Sequence, residues 1–113
     1  AEQALEDLMP EHSVLEVTTD TIMAMTAEFF GFTIAQLSGT SKSRPITHAR
    51  QIAMYLCREL TELSLPKVGE RFGRDHTTVM HSERKIRKEL AEKRDTYDEI
   101  QKITTMIKNY GRG

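Results

Sequence analysis

The amino-acid sequence predicts an all-α fold, a compact helical bundle that contains a helix-turn-helix. Three observations carry this. Apolar residues recur at helical spacing through almost everything after residue 18. Six glycines and three prolines among 113 residues, with no tryptophan, leave little material for a turn-rich β-sandwich. A short helical stretch, a glycine corner and a longer basic helical stretch follow one another at residues 64–88.

Taken in order, residues 1–9 are acidic, place Ala4, Leu5, Leu8 and Met9 at helical spacing, and stop at Pro10. Residues 10–18, with Val14 and Val17, read as a connector. A helix capped near Thr19 or Asp20 directs Ile22, Met23, Thr26, Phe29 and Phe30 inward and ends at Gly31. Thr33 and Gln36 have capping-box spacing, so a short helix with Ile34, Ala35 and Leu37 runs to Gly39. Residues 40–45 form a polar, basic loop. A longer helix spans about Pro45 to Glu62, with Ile46, Ala49, Ile52, Ala53, Leu56, Leu60 and Leu63 as its inward stripe and Cys57 beside it. Leu65, Val68 and Phe72 mark the next, short helix, with Pro66 in its first turn and Gly73 at its end. Asp75 is placed to cap a helix from His76 whose inward side is Val79, Met80, Ile86 and Leu90. A last helix, about Thr96 to Asn109, uses Ile100, Ile103 and Ile107.

A chain of this length suffices for one domain and falls short of a catalytic barrel or a full dinucleotide-binding sheet. Hydrophobic residues at 38% and charged residues at 29% place it among soluble globular proteins rather than disordered ones. The single cysteine forbids an internal disulfide and a thiolate cluster, in keeping with a reducing, cytoplasmic setting. No apolar run approaches the roughly 18 to 20 residues of a membrane span, and no basic leader precedes an apolar stretch, so no signal peptide is expected.

The net charge of −1 conceals a division. Residues 1–41 hold seven acids and no lysine or arginine, whereas residues 42–88 hold eleven bases against five acids. That distribution suits a nucleic-acid partner, although a solvated helical surface has the same composition.

In a helix-turn-helix the second helix enters the major groove and its first turn reaches the base edges. Here that turn is Asp75, His76, Thr77 and Thr78, all polar. An aspartate accepts from the cytosine amine, a threonine methyl packs on the thymine methyl, and His76 donates or accepts at a base edge. Two uses stay open for Asp75, base contact or capping. Beyond it, His81, Arg84, Lys85 and Lys88 lie on polar faces; Arg84 and Lys85 are candidates for phosphates or for plain solvation. A second basic group comprises Lys42, Arg44, His48, Arg50, Gln51 and Arg58. Arg50 and Gln51 have donors suited to phosphates, and Lys42 and Arg44 sit on a loop able to enter a minor groove, unless that loop has no partner.

The stretch ARQIAMYLCRELTELSLPKVGERFGRDHTTVMHSERKI, and above all RDHTTVMH preceded by SLPKVGERFG, resembles the C-terminal DNA-binding domain of the bacterial replication-initiator family DnaA. The likeness covers about residues 20–110, and residues 55–60 are similar to the high-GC Gram-positive versions. It implies recognition of short, non-palindromic origin boxes in double-stranded DNA by a domain that is monomeric in isolation. It further implies base contacts from Asp75, His76, Thr77 and Thr78, with Leu65 and Pro66 packed near the duplex. Arg44, Arg50, Gln51, Arg58, Arg84 and Lys85 would hold the backbone. Lys42 stands where many members place a minor-groove arginine; lysine lacks the planar fork, so part of that reading falls to Arg44. Many members also have two glycines before the arginine of the motif, where this chain has Gly73 alone, which would turn the recognition helix slightly. Residues 1–18 resemble the tail of an upstream ATPase lid and its connector, with residues 19–113 as the DNA-binding domain. The chain has no G-x-x-x-x-G-K-[ST] motif, so no cofactor is expected in it and ATP belongs to the upstream domain.

Three other readings compete. An enzyme lacks support: His76 and His81 are five apart rather than the four that share a helical face, and no motif pairs a Ser or Cys nucleophile with a base. Acidic phospholipids are associated with the family, but the helix bearing Phe29 and Phe30, with Phe32 just beyond, has no lysine or arginine. A helix-turn-helix transcription regulator shares the DNA-binding mode; such proteins usually dimerise, and no sustained heptad is present for a coiled coil.

Overall fold

The computed structural model describes residues 17–111. Six helices occupy them: α1 (Thr19–Phe30), α2 (Ile34–Ser38), α3 (Arg44–Leu60), α4 (Leu65–Phe72), α5 (His76–Glu92) and α6 (Arg94–Gly111). There is no strand among the described residues, and the expected all-α bundle with its helix-turn-helix is what the chain forms. The acidic stretch 1–9 and most of the connector 10–18 lie outside the described residues.

Local chemistry sets most boundaries. Thr18, rather than Thr19 or Asp20, caps α1: its hydroxyl accepts from the Thr21 N–H at 3.2 Å. Gly31 ends that helix in the left-handed region at φ 80°, which lets the Phe32 N–H reach back to the Ala27 carbonyl. The expected capping box is present at α2, with Thr33 Oγ1 accepting from the Gln36 N–H and Gln36 Oε1 from the Thr33 N–H.

Two ends differ from expectation. α3 stops at Leu60 instead of Glu62, because the Thr61 hydroxyl donates to the Cys57 carbonyl and accepts from the Leu63 N–H, and these local bonds replace the helical ladder. α6 starts at Arg94, two residues early; Lys93 alone separates it from α5, and its carbonyl accepts from the Tyr97 N–H.

α3 is the spine of the core, packed against α1 and α5. Its Ala49, Ile52, Ala53, Leu56 and Cys57 are buried against Ile22 and Met23 of α1, Phe72 of α4, and Val79 and Ile86 of α5. α6 closes the bundle over α1 and α5 with Ile100, Ile103 and Ile107. Each fully buried side chain of this size contributes roughly 1.5–3 kcal/mol. Met80 and Leu90, expected inward, are only half-buried. Phe29, Phe30 and Phe32 pack against the core. Burial pushes the Cys57 thiol up to about 12. No helix among the described residues is long and apolar enough to cross a membrane.

Candidate nucleic-acid interface

The corner between α4 and α5 is built from glycine. Gly73 adopts φ 67°, so the Arg74 N–H turns back to the Gly69 carbonyl at 2.9 Å. Gly69 itself allows the close approach: a Cβ there would sit 2.3 Å from the Arg74 carbonyl oxygen. The single glycine at the corner therefore completes a helix end, and Asp75 caps the next helix at once. Its Oδ1 accepts from the Thr78 N–H at 3.0 Å. That bond is the main reason the Asp75 carboxyl is held below its ordinary range.

Capping fixes the leading tip of α5. His76, Thr77 and Thr78 are exposed with Asp75, while Val79 turns into the core. Pro66 is exposed and Leu65 half-buried at the start of α4. Further along α5, Arg84 and Lys85 are exposed; the Lys85 ammonium bonds Glu89 Oε2 at 2.7 Å. Burial would raise the Glu89 carboxyl, but hydrogen bonds from Lys85 and from Thr96 (2.9 Å) outweigh it and hold the group below its ordinary value.

Lys42 and Arg44 are exposed beside this helix, and Arg44 is the first residue of α3 rather than part of the loop. With the half-buried Gln51 and with Lys85 they line one groove of about 550 Å³ between the start of α3 and the α5–α6 corner. The fold thus brings Lys42, Arg44, Gln51 and Lys85 together from three places in the sequence. Thr47, His48 and Lys93 share the groove without having been singled out for it, except His48 as part of the basic group. His48 Nε2 lies 2.9 Å from Glu99 Oε1, so its ring is engaged with α6.

Two residues expected to hold the DNA backbone make hydrogen bonds within the fold. Arg50 is 5% exposed, and its Nε and Nη2 donate to the carbonyls of Leu37 (2.6 Å) and Gln36 (3.3 Å). Its guanidinium closes the end of α2 and does not face outward. Arg58 is half-buried and donates to the Leu63 carbonyl at 2.5 Å, with Glu83 at 4.0 Å. Both arginines stabilise the scaffold.

Sequence reasoning missed Gly69 and Arg74. A glycine inside a short helix was the available signal for the first, since such a residue weakens a helix unless something must approach it. Arg74 donates to the carbonyls of Phe72 and Gly39, both at 2.7 Å. Nothing in its sequence neighbourhood distinguishes it from an outward-facing base. Among the described residues no cluster of three or more His, Cys, Asp or Glu is placed to hold a metal ion.

Residues 19–86 match the family described as the bacterial DnaA protein helix-turn-helix. The chain is 50% identical over 112 residues to the chromosomal replication initiator protein DnaA of Mycobacteroides abscessus, covering 99% of this chain and 23% of that protein. It is 53% identical over 113 residues to the protein of the same name from Corynebacterium aurimucosum, covering 99% of this chain and 21% of that protein. The chain spans between a fifth and a quarter of the length of these relatives. With its glycine corner, capped second helix and matched sequence, the chain belongs to the DnaA helix-turn-helix family.

Proposed function

We propose that this domain binds double-stranded DNA at specific replication-origin boxes and so serves the initiation of chromosomal replication. The observation that carries the reading is the exposed polar tip of α5: Asp75, His76, Thr77 and Thr78 face outward at the leading end of a 17-residue helix. A tip of this kind enters the major groove and meets base edges. Lys42, from the preceding loop, reaches the minor groove, and Arg44, Gln51, Arg84 and Lys85 hold phosphates. Leu65 and Pro66 pack near the duplex. The relatives' name, chromosomal replication initiator protein, supports the assignment to origins.

The domain acts as a monomer on one asymmetric box, without catalysis of its own. Residues 1–18 are the tail of an upstream ATPase lid and its connector, and ATP is handled by that upstream domain. The full-length protein works in the bacterial cytoplasm at the nucleoid, with acidic phospholipids as a further partner.

Selection of binding sites from random duplexes at fixed salt tests the reading, and an enriched asymmetric box is the expected result. On that box, His76→Ala or Thr77→Ala costs on the order of 1–3 kcal/mol and changes random-duplex binding little. Equal losses on both targets would remove these residues from base recognition; enrichment of paired half-sites would favour a dimeric transcription regulator.

A further inference from the structure

Two arginines from distant parts of the chain converge on the end of the five-residue helix α2. Arg50 holds the carbonyls of Gln36 and Leu37. Arg74 holds the carbonyl of Gly39, the residue that ends α2, and with its other nitrogen the carbonyl of Phe72, the last residue of α4. The two guanidiniums are close enough to repel: burial foremost, and then the charge of Arg74, lower the pKa of Arg50. Converging carbonyls at a helix end provide the negative potential that offsets such a like-charge pair.

The placement of Arg74 has a geometric consequence. Gly39 is the root of the loop that carries Lys42, three residues on, and Phe72 precedes the corner that leads to His76. Arg74 lies two residues before α5, so its planar guanidinium ties the base of the loop to the corner between α4 and α5, with both bonds at 2.7 Å. A guanidinium presents its donors in a rigid fork, whereas an ammonium presents them on a flexible stem.

We propose that Arg74 is a positioning residue that fixes the spacing between the Lys42 loop and the tip of α5, so that the two elements engage adjacent grooves of one duplex in register. It acts through the Gly39 and Phe72 carbonyls and contacts no phosphate. The inference rests on the DNA-binding reading above for its functional outcome, and on the two hydrogen bonds for its structural one.

The test compares the wild type with Arg74→Gln and Arg74→Lys, each alone and with Lys42→Ala, on the selected box at several salt concentrations. Both Arg74 variants are expected to weaken binding to the box by about tenfold. They lower the slope of log affinity against log salt by no more than Lys42→Ala alone does, and added to Lys42→Ala they leave it unchanged, because Arg74 itself holds no phosphate. In the Arg74→Gln background, Lys42→Ala then has little further effect, since the loop is already out of register. A slope about one unit lower in the double variant than in Lys42→Ala alone would make Arg74 a phosphate contact and overturn the proposal. Additive losses from Arg74 and Lys42 would overturn it as well. Amide hydrogen exchange without DNA provides the independent arm: residues 40–43 exchange faster in the Arg74 variants while α6 is unchanged. Unaltered exchange there would sink the tie itself. A wild type without sequence preference would sink the functional reading, and the exchange comparison would still decide whether Arg74 holds the loop. Arg74→Lys serves where Arg74→Gln fails to fold.

Discussion

Arg50 shows what a charged residue contributes when its surroundings supply acceptors. Its side chain is buried, and its donors meet the Leu37 carbonyl and the Gln36 carbonyl, which also accepts from the Gly39 N–H. Arg50→Met should retain much of the packing and lose those bonds. Hydrogen bonds from a charged donor contribute roughly 1.5–3 kcal/mol, and a stability loss of that order is expected in denaturant unfolding. The salt slope of DNA binding should not change. A reduced slope with unaltered stability would return Arg50 to the phosphate set. Burial of this kind was not legible in the sequence: an arginine at the start of an exposed-looking helix turn has the same pattern whether it faces solvent or two carbonyls from a helix thirteen residues away. His76, Thr77 and Thr78, by contrast, were legible, because a polar run directly after a glycine corner and a capping aspartate has no apolar group to direct inward until Val79.

At the scale of the element, α5 carries a structural carboxylate at each end. Asp75 caps its start, and Glu89 ties its last turns to α6 through the buried Thr96 hydroxyl. Both carboxyls titrate below their ordinary values in the folded chain. A carboxyl with a depressed folded pKa stabilises the fold fully above its unfolded value, about 4.3 for glutamate, and loses that contribution as pH falls through the folded value. Glu89→Gln should therefore lower Tm at pH 7, and the gap to the wild type should close in acid. A gap of equal size at pH 7 and pH 3 would count against the assignment. The same substitution leaves Lys85 without its partner, so random-duplex binding at low salt should strengthen.

Helix ends set by neighbours in sequence were readable in advance, as at Gly31, Gly73, Asp75 and the Thr33–Gln36 box. Those at Thr61 and Lys93 were not. There a side chain competing for a backbone carbonyl, and the docking of α6 directly after α5, decided the boundary.

Across the whole molecule, the separation of charge along the sequence becomes a separation in space only in part. Lys42, Arg44 and Lys85 converge, but Glu89, Asp95 and Glu99 line the same groove and temper its potential. The logarithm of affinity for random duplex should fall linearly with log salt, and Lys42→Ala and Arg44→Ala should each reduce the slope by about one unit. Titration at several ionic strengths measures this; slopes unchanged in both variants would move the backbone contacts elsewhere. The bundle itself was predictable because apolar periodicity is a property of whole helices, whereas the groove depends on which helix ends meet. One buried group has a practical consequence. With its sulfur shielded from solvent and its deprotonation displaced to about 12, Cys57 offers almost no thiolate to a maleimide at neutral pH. A cysteine introduced on the surface will therefore take up a fluorophore at one defined position while the native side chain stays in place.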